Sequence, residues 1–312
     1  MKKLGLATAV LLAMTGAHAY QFEVQGQSEY VDTTANDKNF TGTAQGTYYF
    51  KNVDASKGPL AEAAFLNQAS NVSVAYNYIK YDEKDTVNVE SHTYGVKGEA
   101  YLPTPYLPVY ASASYNHTIN DFKDGVSDDN GDRYALEAGA MLLPNFLVAV
   151  GYTSVADQIS LDAFGVNKYG IAKAVGESVA IDEKQDAVTA RTKYVGNIDG
   201  TNMAIGFEAF GVFAEDNAYG MKTDLFVTPK LSVGASFADV SAFNSGYDHV
   251  WGGHTQYFIT PAVAVGADFV KANAKDGNPR DCLLYPTDAA DELLCAELGG
   301  RRTIKKQKKE ST

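Results

Sequence analysis

Thiols are nearly absent: the 312 residues include two cysteines, Cys282 and Cys295, both close to the C-terminus. Everything before them is therefore free of disulfide staples and of cysteine zinc ligands. Histidine is scarce too, and the five present show no HExxH and no close metal-ligand spacing. A positive field is missing, because 26 basic against 38 acidic residues leave a net charge of −12. That balance excludes a phosphate-attracting surface and with it a nucleic-acid partner. After the first nineteen residues no apolar run is long enough for a transmembrane helix, and the mean hydropathy of −0.21 excludes a multi-helix membrane protein. Tyr, by contrast, occurs 20 times and Gly 28 times, within a chain that is 45% hydrophobic and 21% charged. That mixture excludes disorder and suits strands better than helices.

Lys2 and Lys3 precede an apolar run from Leu4 to Met14, and Ala17-His18-Ala19 supplies the small–x–small pattern of a signal-peptidase site. The run is too short to cross a bilayer core of about 30 Å, so a signal peptide is expected rather than a membrane anchor or a buried helix. Cleavage between Ala19 and Tyr20 leaves a mature chain of 312 − 19 = 293 residues.

From Tyr20 onward the chain has period two. Tyr20, Phe22, Val24, Gly26, Ser28 and Tyr30 share one face, while Gln21, Glu23, Gln25, Gln27 and Glu29 share the other. The alternation recurs as far as Lys271 and predicts about thirteen strands, mostly of about ten to thirteen residues. Globular strands usually have about five or six residues, whereas about ten, tilted near 45°, cross a thin apolar layer. Every second connection is short and carries Pro or a turn signal, as at Pro103-Thr104-Pro105, Leu143-Pro144-Asn145 and Thr228-Pro229-Lys230. The intervening ones are polar and mostly longer: Asp32 to Lys38, Asp82 to Val87, Asp121 to Asp132, Asp157 to Gln185 and Ser241 to Asp248. Lys51 to Ala69 is the exception on the short side, where Pro59 to Phe65 could form a brief helix. This asymmetry is that of an outer-membrane β-barrel, periplasmic below and extracellular above. A soluble β-sandwich or β-helix shares the period, with its apolar face turned inward. Strand length, together with aromatics at strand ends, favours lipid. The predicted girdles are Tyr30, Phe40, Tyr134 and Tyr152 at one rim and Tyr20, Phe50 and Tyr194 at the other.

The start MKKLGLATAVLLAMTGAHAYQFEVQGQSEYVDTTANDKNF, with GEAYLPTPYLPVYASASYNHT and GNIDGTNMAIGFEAFGVF, resembles the thirty-three-to-thirty-six-kilodalton outer-membrane porins of Acinetobacter-type bacteria. The likeness runs from Met1 to about Lys271. It implies a fourteen-stranded all-β antiparallel transmembrane barrel and a small passive channel for water, ions and small polar solutes. It implies no catalytic residues, no cofactor and no metal. The partners it implies are outer-membrane lipid and lipopolysaccharide, the outer-membrane assembly machinery and the solutes themselves. A fourteenth alternating strand should follow Lys271, but the chain turns to Pro279, Pro286 and a basic stretch from Arg301 to Lys309. The expected division is signal peptide 1–19, barrel 20–275 and an aberrant tail 276–312, partly helical or disordered. The closing strand is then missing.

Chemistry elsewhere is weak. His117 reads as a solvated side chain near the outer rim, and His92 and Ser91 point to opposite strand faces, so they cannot form a nucleophile–base pair. Asp128-Asp129-Asn130-Gly131-Asp132 lacks the spacing and distant Glu of an EF-hand loop and reads as a hydrated acidic loop. The informative residues are the charges on the predicted inward face: Glu23, Glu29, Lys97, Glu99, Arg133, Glu137, Arg191, Lys193, Lys222 and Asp268. Both signs are present, unlike the single-sign ladder of a dedicated phosphate or cation pore. Asp157 to Gln185 is the first candidate for a loop that narrows the bore. Ser73 is expected to line the lumen and tolerate Arg, and Val74 to face lipid. A plugged structural or adhesive barrel, working through its outer loops, is the alternative; an outer-membrane hydrolase is a weaker one.

Overall fold

In the computed structural model each strand pairs antiparallel with the next in sequence, in one sheet. The structure describes residues 19–33, 36–83, 87–122, 129–156, 162–164, 185–214, 217–239, 247–274 and 279–280. The meander opens with β1 (Ala19–Thr33), β2 (Asn36–Asp54), β3 (Asn71–Glu83), β4 (Val87–Leu102) and β5 (Val109–Phe122). It continues through β6 (Asp129–Leu143), β7 (Phe146–Ala156), β8 (Gln185–Asn197), β9 (Ala204–Phe213) and β10 (Asn217–Thr228). β11 (Leu231–Asp239), β12 (Tyr247–Thr260) and β13 (Val263–Ala274) complete the long strands. β14 is two residues, Pro279–Arg280, set against Asn273 and Ala272. Among the described residues β1 pairs only with β2. Among the described residues no helix is long and apolar enough to cross a membrane.

Burial is inverted relative to a water-soluble sheet. Asn77, Thr93, Asn116 and Thr118 are fully buried, while Leu136 and Val150 are 60% and 61% exposed. Side chains alternate across a strand, so one face is polar and enclosed and the other is apolar and open. A sandwich puts its apolar face inside. This sheet puts it outside, where only lipid makes the exposure favourable.

Two expectations need correction. Tyr20 does not join the outer aromatic girdle: it is buried with Val53 and edge-on to Tyr49, at 5.7 Å between ring centroids. The cause is a register shift between Tyr20 and Phe22, with Tyr20 opposite Val53 and Phe22 opposite Tyr48. An irregularity of this kind breaks strict alternation and moves the side chain to the other face. Several outer loops are also shorter than expected. Asn130 to Asp132, read as part of an acidic loop, is β-strand paired with β5, and β1 and β2 extend through Thr33 and from Asn36. Strands of up to 19 residues exceed the thickness of the apolar layer and project beyond it. Of the predicted rim aromatics, Phe50, Tyr134 and Tyr152 are exposed, Tyr194 is half-buried against Phe146, and the side chains of Tyr30 and Phe40 lie outside those described.

The connection between β2 and β3 folds inward. Pro59, at φ −58°, leads into a 3-10 turn (Leu60–Glu62), and α1 (Ala63–Leu66) follows. The helix stops at once because Gln68 takes a left-handed φ of 49°, its N–H donating to Phe65 O at 2.8 Å. Asn67 ties the segment back through Nδ2 to Asp54 O at 2.8 Å and to Ala63 O at 2.7 Å. The segment touches the wall on several sides. Leu60 donates its N–H to Pro229 O and packs on Phe258 and Ala264. Phe65 enters a cluster with Met141, Leu147, Val195 and Phe226, and Ala63 packs on Tyr20, Tyr49 and Val53.

Candidate functional site: the occluded bore

The enclosed face is crossed by a charged network centred on Arg191 of β8. Its Nε donates to Glu137 Oε2 at 3.1 Å and its Nη2 to Glu137 Oε1 at 2.5 Å, a two-pronged grip on a carboxylate of β6. Nη1 reaches Glu208 Oε1 on β9 at 3.3 Å, and Nη2 also donates to the Tyr110 hydroxyl at 3.1 Å. Tyr110 belongs to β5, three strands away, so this contact cuts across the curl of the sheet. The Tyr110 hydroxyl donates to Glu99 Oε1 at 2.8 Å, Asn71 reaches Glu99 Oε2 at 3.1 Å, and Lys97 lies 3.3 Å from Glu99 Oε1. Next on β8, Lys193 pairs with Glu62 of the inward-folded segment at 2.7 Å. One polar chain thus runs from β3 to β9, with a second bond pinning the plug.

Arg191 lines cavities on either side of this network. The larger, of about 260 Å³, is bounded by β1, β2, β10, β12 and the inward-folded segment, and Glu23, Lys222, Asp224 and His254 face it. The smaller, of about 60 Å³, is lined by Lys97, Arg133, Glu137 and Asp162. Beyond it Ala163 and Phe164, from the connection between β7 and β8, enter the bore. Ala163 and Phe164 are buried against Ala75, and the Ala163 N–H donates to Asn116 Oδ1 at 3.2 Å. Gly95 makes the room, since a Cβ there would stand 2.7 Å from the Phe164 ring and 2.5 Å from Asn116 Oδ1.

A polar interior behind a lipid-facing wall, narrowed by a segment from each end, is the anatomy of a diffusion channel. A family model for general bacterial porins matches residues 1–282. The chain belongs to that family. Among solved structures it resembles the outer membrane protein Omp33 of Acinetobacter baumannii, at 76% identity and a TM-score of 0.63, covering 83% of this chain and 94% of the other. A triple mutant of the porin of Rhodopseudomonas blastica aligns over 84% of this chain and 98% of its own at 8% identity, with a TM-score of 0.34 that carries no argument. No curated protein matches. The protein is thus a porin of the outer membrane, built from an antiparallel transmembrane β-meander.

The porin brings most of the sequence-predicted inward charges together. Lys97, Glu99, Glu137, Arg191 and Lys193 fall in the network, Glu23 and Lys222 face the larger cavity, and Arg133 faces the smaller one. The side chains of Glu29 and Asp268 lie outside those described. Sequence reasoning missed Glu208, Asp224, His254 and Glu62. Asp224 shares strand parity with Lys222, so that signal was present and went unused, whereas Glu208 and His254 stand opposite Lys193 and Asp268 in the neighbouring strands, a register that no single strand reports. Glu62 was legible only as part of a short helix, and nothing local shows that the helix turns into the bore.

Ser73 is among the residues that line the larger cavity, buried in its wall and bonded to Thr47 Oγ1 at 2.9 Å. His92 and Ser91 are held on opposite faces of β4. His92 bonds the Tyr76 hydroxyl at 2.8 Å on the outer face, while Ser91 donates to Asn120 Oδ1 at 2.6 Å on the inner one. His117 pairs with Asp132 at 2.8 Å, and that carboxylate also accepts from the Tyr115 hydroxyl at 2.7 Å.

Proposed function

We propose that this porin conducts water, ions and small polar solutes passively, without energy coupling and without a catalytic step. Glu23, Glu29, Lys97, Glu99, Arg133, Glu137, Arg191, Lys193, Lys222 and Asp268 are its lumen-lining charges. The observation that carries the reading is an interior lined by both signs of charge behind an apolar outer face. Neither sign dominates, so selectivity between simple cations and anions is expected to be weak. The second reading, a plugged barrel acting through its outer loops, is favoured by the inward-folded Leu60–Leu66 segment and by Phe164 in the bore. Planar-bilayer conductance separates the two. The intact chain is expected to conduct, and replacing residues 60–66 by a Gly-Ser linker is expected to raise the conductance several-fold. Silence from both proteins would leave the plugged reading standing.

Residues 1–19 act as a signal peptide cleaved after Ala19, and assembly machinery inserts the mature chain among outer-membrane lipid and lipopolysaccharide. Among the described residues after β13, Pro279 and Arg280 are paired, and the proline has no N–H to donate. β1 is paired along one edge among the described residues, and backbone left unpaired in lipid costs several kcal/mol per group. The chain as written is therefore expected to fold inefficiently. Substituting an alternating strand with a terminal aromatic should increase the fraction that migrates as folded barrel on unboiled gels. Equal folding of both versions would show that residues 281–312 close the seam.

A further inference from the structure

The larger cavity has two walls of opposite chemistry. On β1 and β2, Glu23 accepts from the Tyr49 hydroxyl at 2.9 Å and from the Gln25 amide. Beside it Gln45, opposite Gln25 in the strand register, holds a buried Oε1 with no hydrogen-bond partner among the described residues. This wall offers acceptors. On β10 and β12, Lys222 and His254 share one carboxylate, Asp224, at 3.3 Å and 2.5 Å. A lysine ammonium has three donors, and charge-assisted bonds are normally about 2.7–2.9 Å long. Among the described residues Lys222 makes this one long contact, which leaves that wall with donors to spare.

Balance and size narrow the ligand. The lining carries four carboxylates (Glu23, Glu62, Glu99, Asp224) against Arg191, Lys193 and Lys222, with His254 beside Asp224. A lone cation or anion meets one complementary wall and leaves the other unanswered. A solute with a positive and a negative end answers both walls and adds no net charge. The volume of about 260 Å³ is that of about nine waters at ~30 Å³ each, which suits about ten heavy atoms and falls below the ~300 Å³ of the smallest drug-sized pockets.

We propose that this cavity is a transient binding site for small zwitterions of the amino-acid kind. The ammonium lies at the Glu23–Gln45 wall and the carboxylate at the Lys222–His254 wall. The proposal rests on the channel reading and adds a preferred solute to it.

The test is uptake into proteoliposomes of the intact porin, across a range of concentrations, for small solutes of four charge types. Serine is the zwitterion, erythritol the neutral, lactate the anion and ethanolamine the cation. Serine uptake is expected to saturate and, at low concentration, to exceed the other three several-fold. Lys222→Gln and Gln45→Leu are each expected to abolish the saturation and to bring serine and erythritol uptake together. Serine entering linearly at the rate of erythritol would overturn the binding site and leave the channel in place. Saturation by lactate or ethanolamine instead of serine would overturn it as well. Entry of none of the four would overturn both the site and the channel.

Discussion

Arg191→Met will destabilise the folded porin by about 3–5 kcal/mol, the usual cost of removing one partner from a buried ion cluster. Two carboxylates depend on this guanidinium: Glu137 accepts two of its bonds, Glu208 accepts a third, and Arg191 itself is 6% exposed. The substitution keeps volume and removes charge, so the carboxylates remain enclosed beside Glu99 with less cation to hold them. It also removes the guanidinium stacked 5.4 Å from the Tyr110 ring, and with it the contact between β5 and β8. Arg191→Lys should lose less, because the charge stays while the planar two-pronged grip is lost. Adding Glu137→Gln and Glu208→Gln to Arg191→Met should recover much of the loss, since neutral amides tolerate enclosure better than bare carboxylates. Urea unfolding of detergent-folded protein, followed by tyrosine fluorescence, measures the series. A loss below about 1 kcal/mol for Arg191→Met would mean that the bore is wet enough to screen the cluster as a surface would.

The wall was legible in the sequence and the contents of the bore were not, for a physical reason. Period two is enforced at every residue of a strand with different media on its two faces, and thirteen long strands repeat that constraint. β11 (Leu231–Asp239) accordingly lies within the alternating stretch that runs to Lys271. Alternation fails where the ladder is irregular, and Tyr20 was misplaced because the shift beside Phe22 leaves no mark in residue type. It also misleads at the short-turn end, where Val53, Met141 and Leu147 are inward-facing and apolar. Those residues answer Ala63 and Phe65 of the inward-folded segment, a tertiary contact that no single strand reports. A clue did exist. Leu60, Phe65 and Leu66 are apolar within a connection, and large apolar side chains in a connection need a surface to cover. The charges divide in the same way. Parity placed Arg191 and Glu137 inside, yet their meeting depends on side-chain reach across β7, where the inward residue between them is the small Ala149.

Leu136→Arg is expected to cost about 2–4 kcal/mol, the range for a basic side chain near the midplane of a membrane barrel. Leu136 is the eighth residue of the fifteen in β6 and is 60% exposed on the outer face, opposite Ala113 and Tyr152 of the neighbouring strands. From there an Arg side chain must run far along the wall to reach a headgroup, and its charge stays in hydrocarbon for much of that length. Gln25→Arg introduces the same side chain on the inner face, into the larger cavity beside the Glu23 carboxylate, and is expected to change stability by less than about 0.5 kcal/mol. The pair separates wall from lumen with one kind of substitution, because the added group is identical and only the medium differs. Denaturation of both variants reconstituted into lipid vesicles provides the comparison. Detergent serves less well, because a micelle deforms around a charge more readily than a bilayer does. Equal losses would mean that the two faces meet the same medium, and the inverted burial of this sheet would then have to be explained without lipid. A loss confined to Leu136→Arg fixes the outer face as the one in hydrocarbon and leaves the polar face for the solute path.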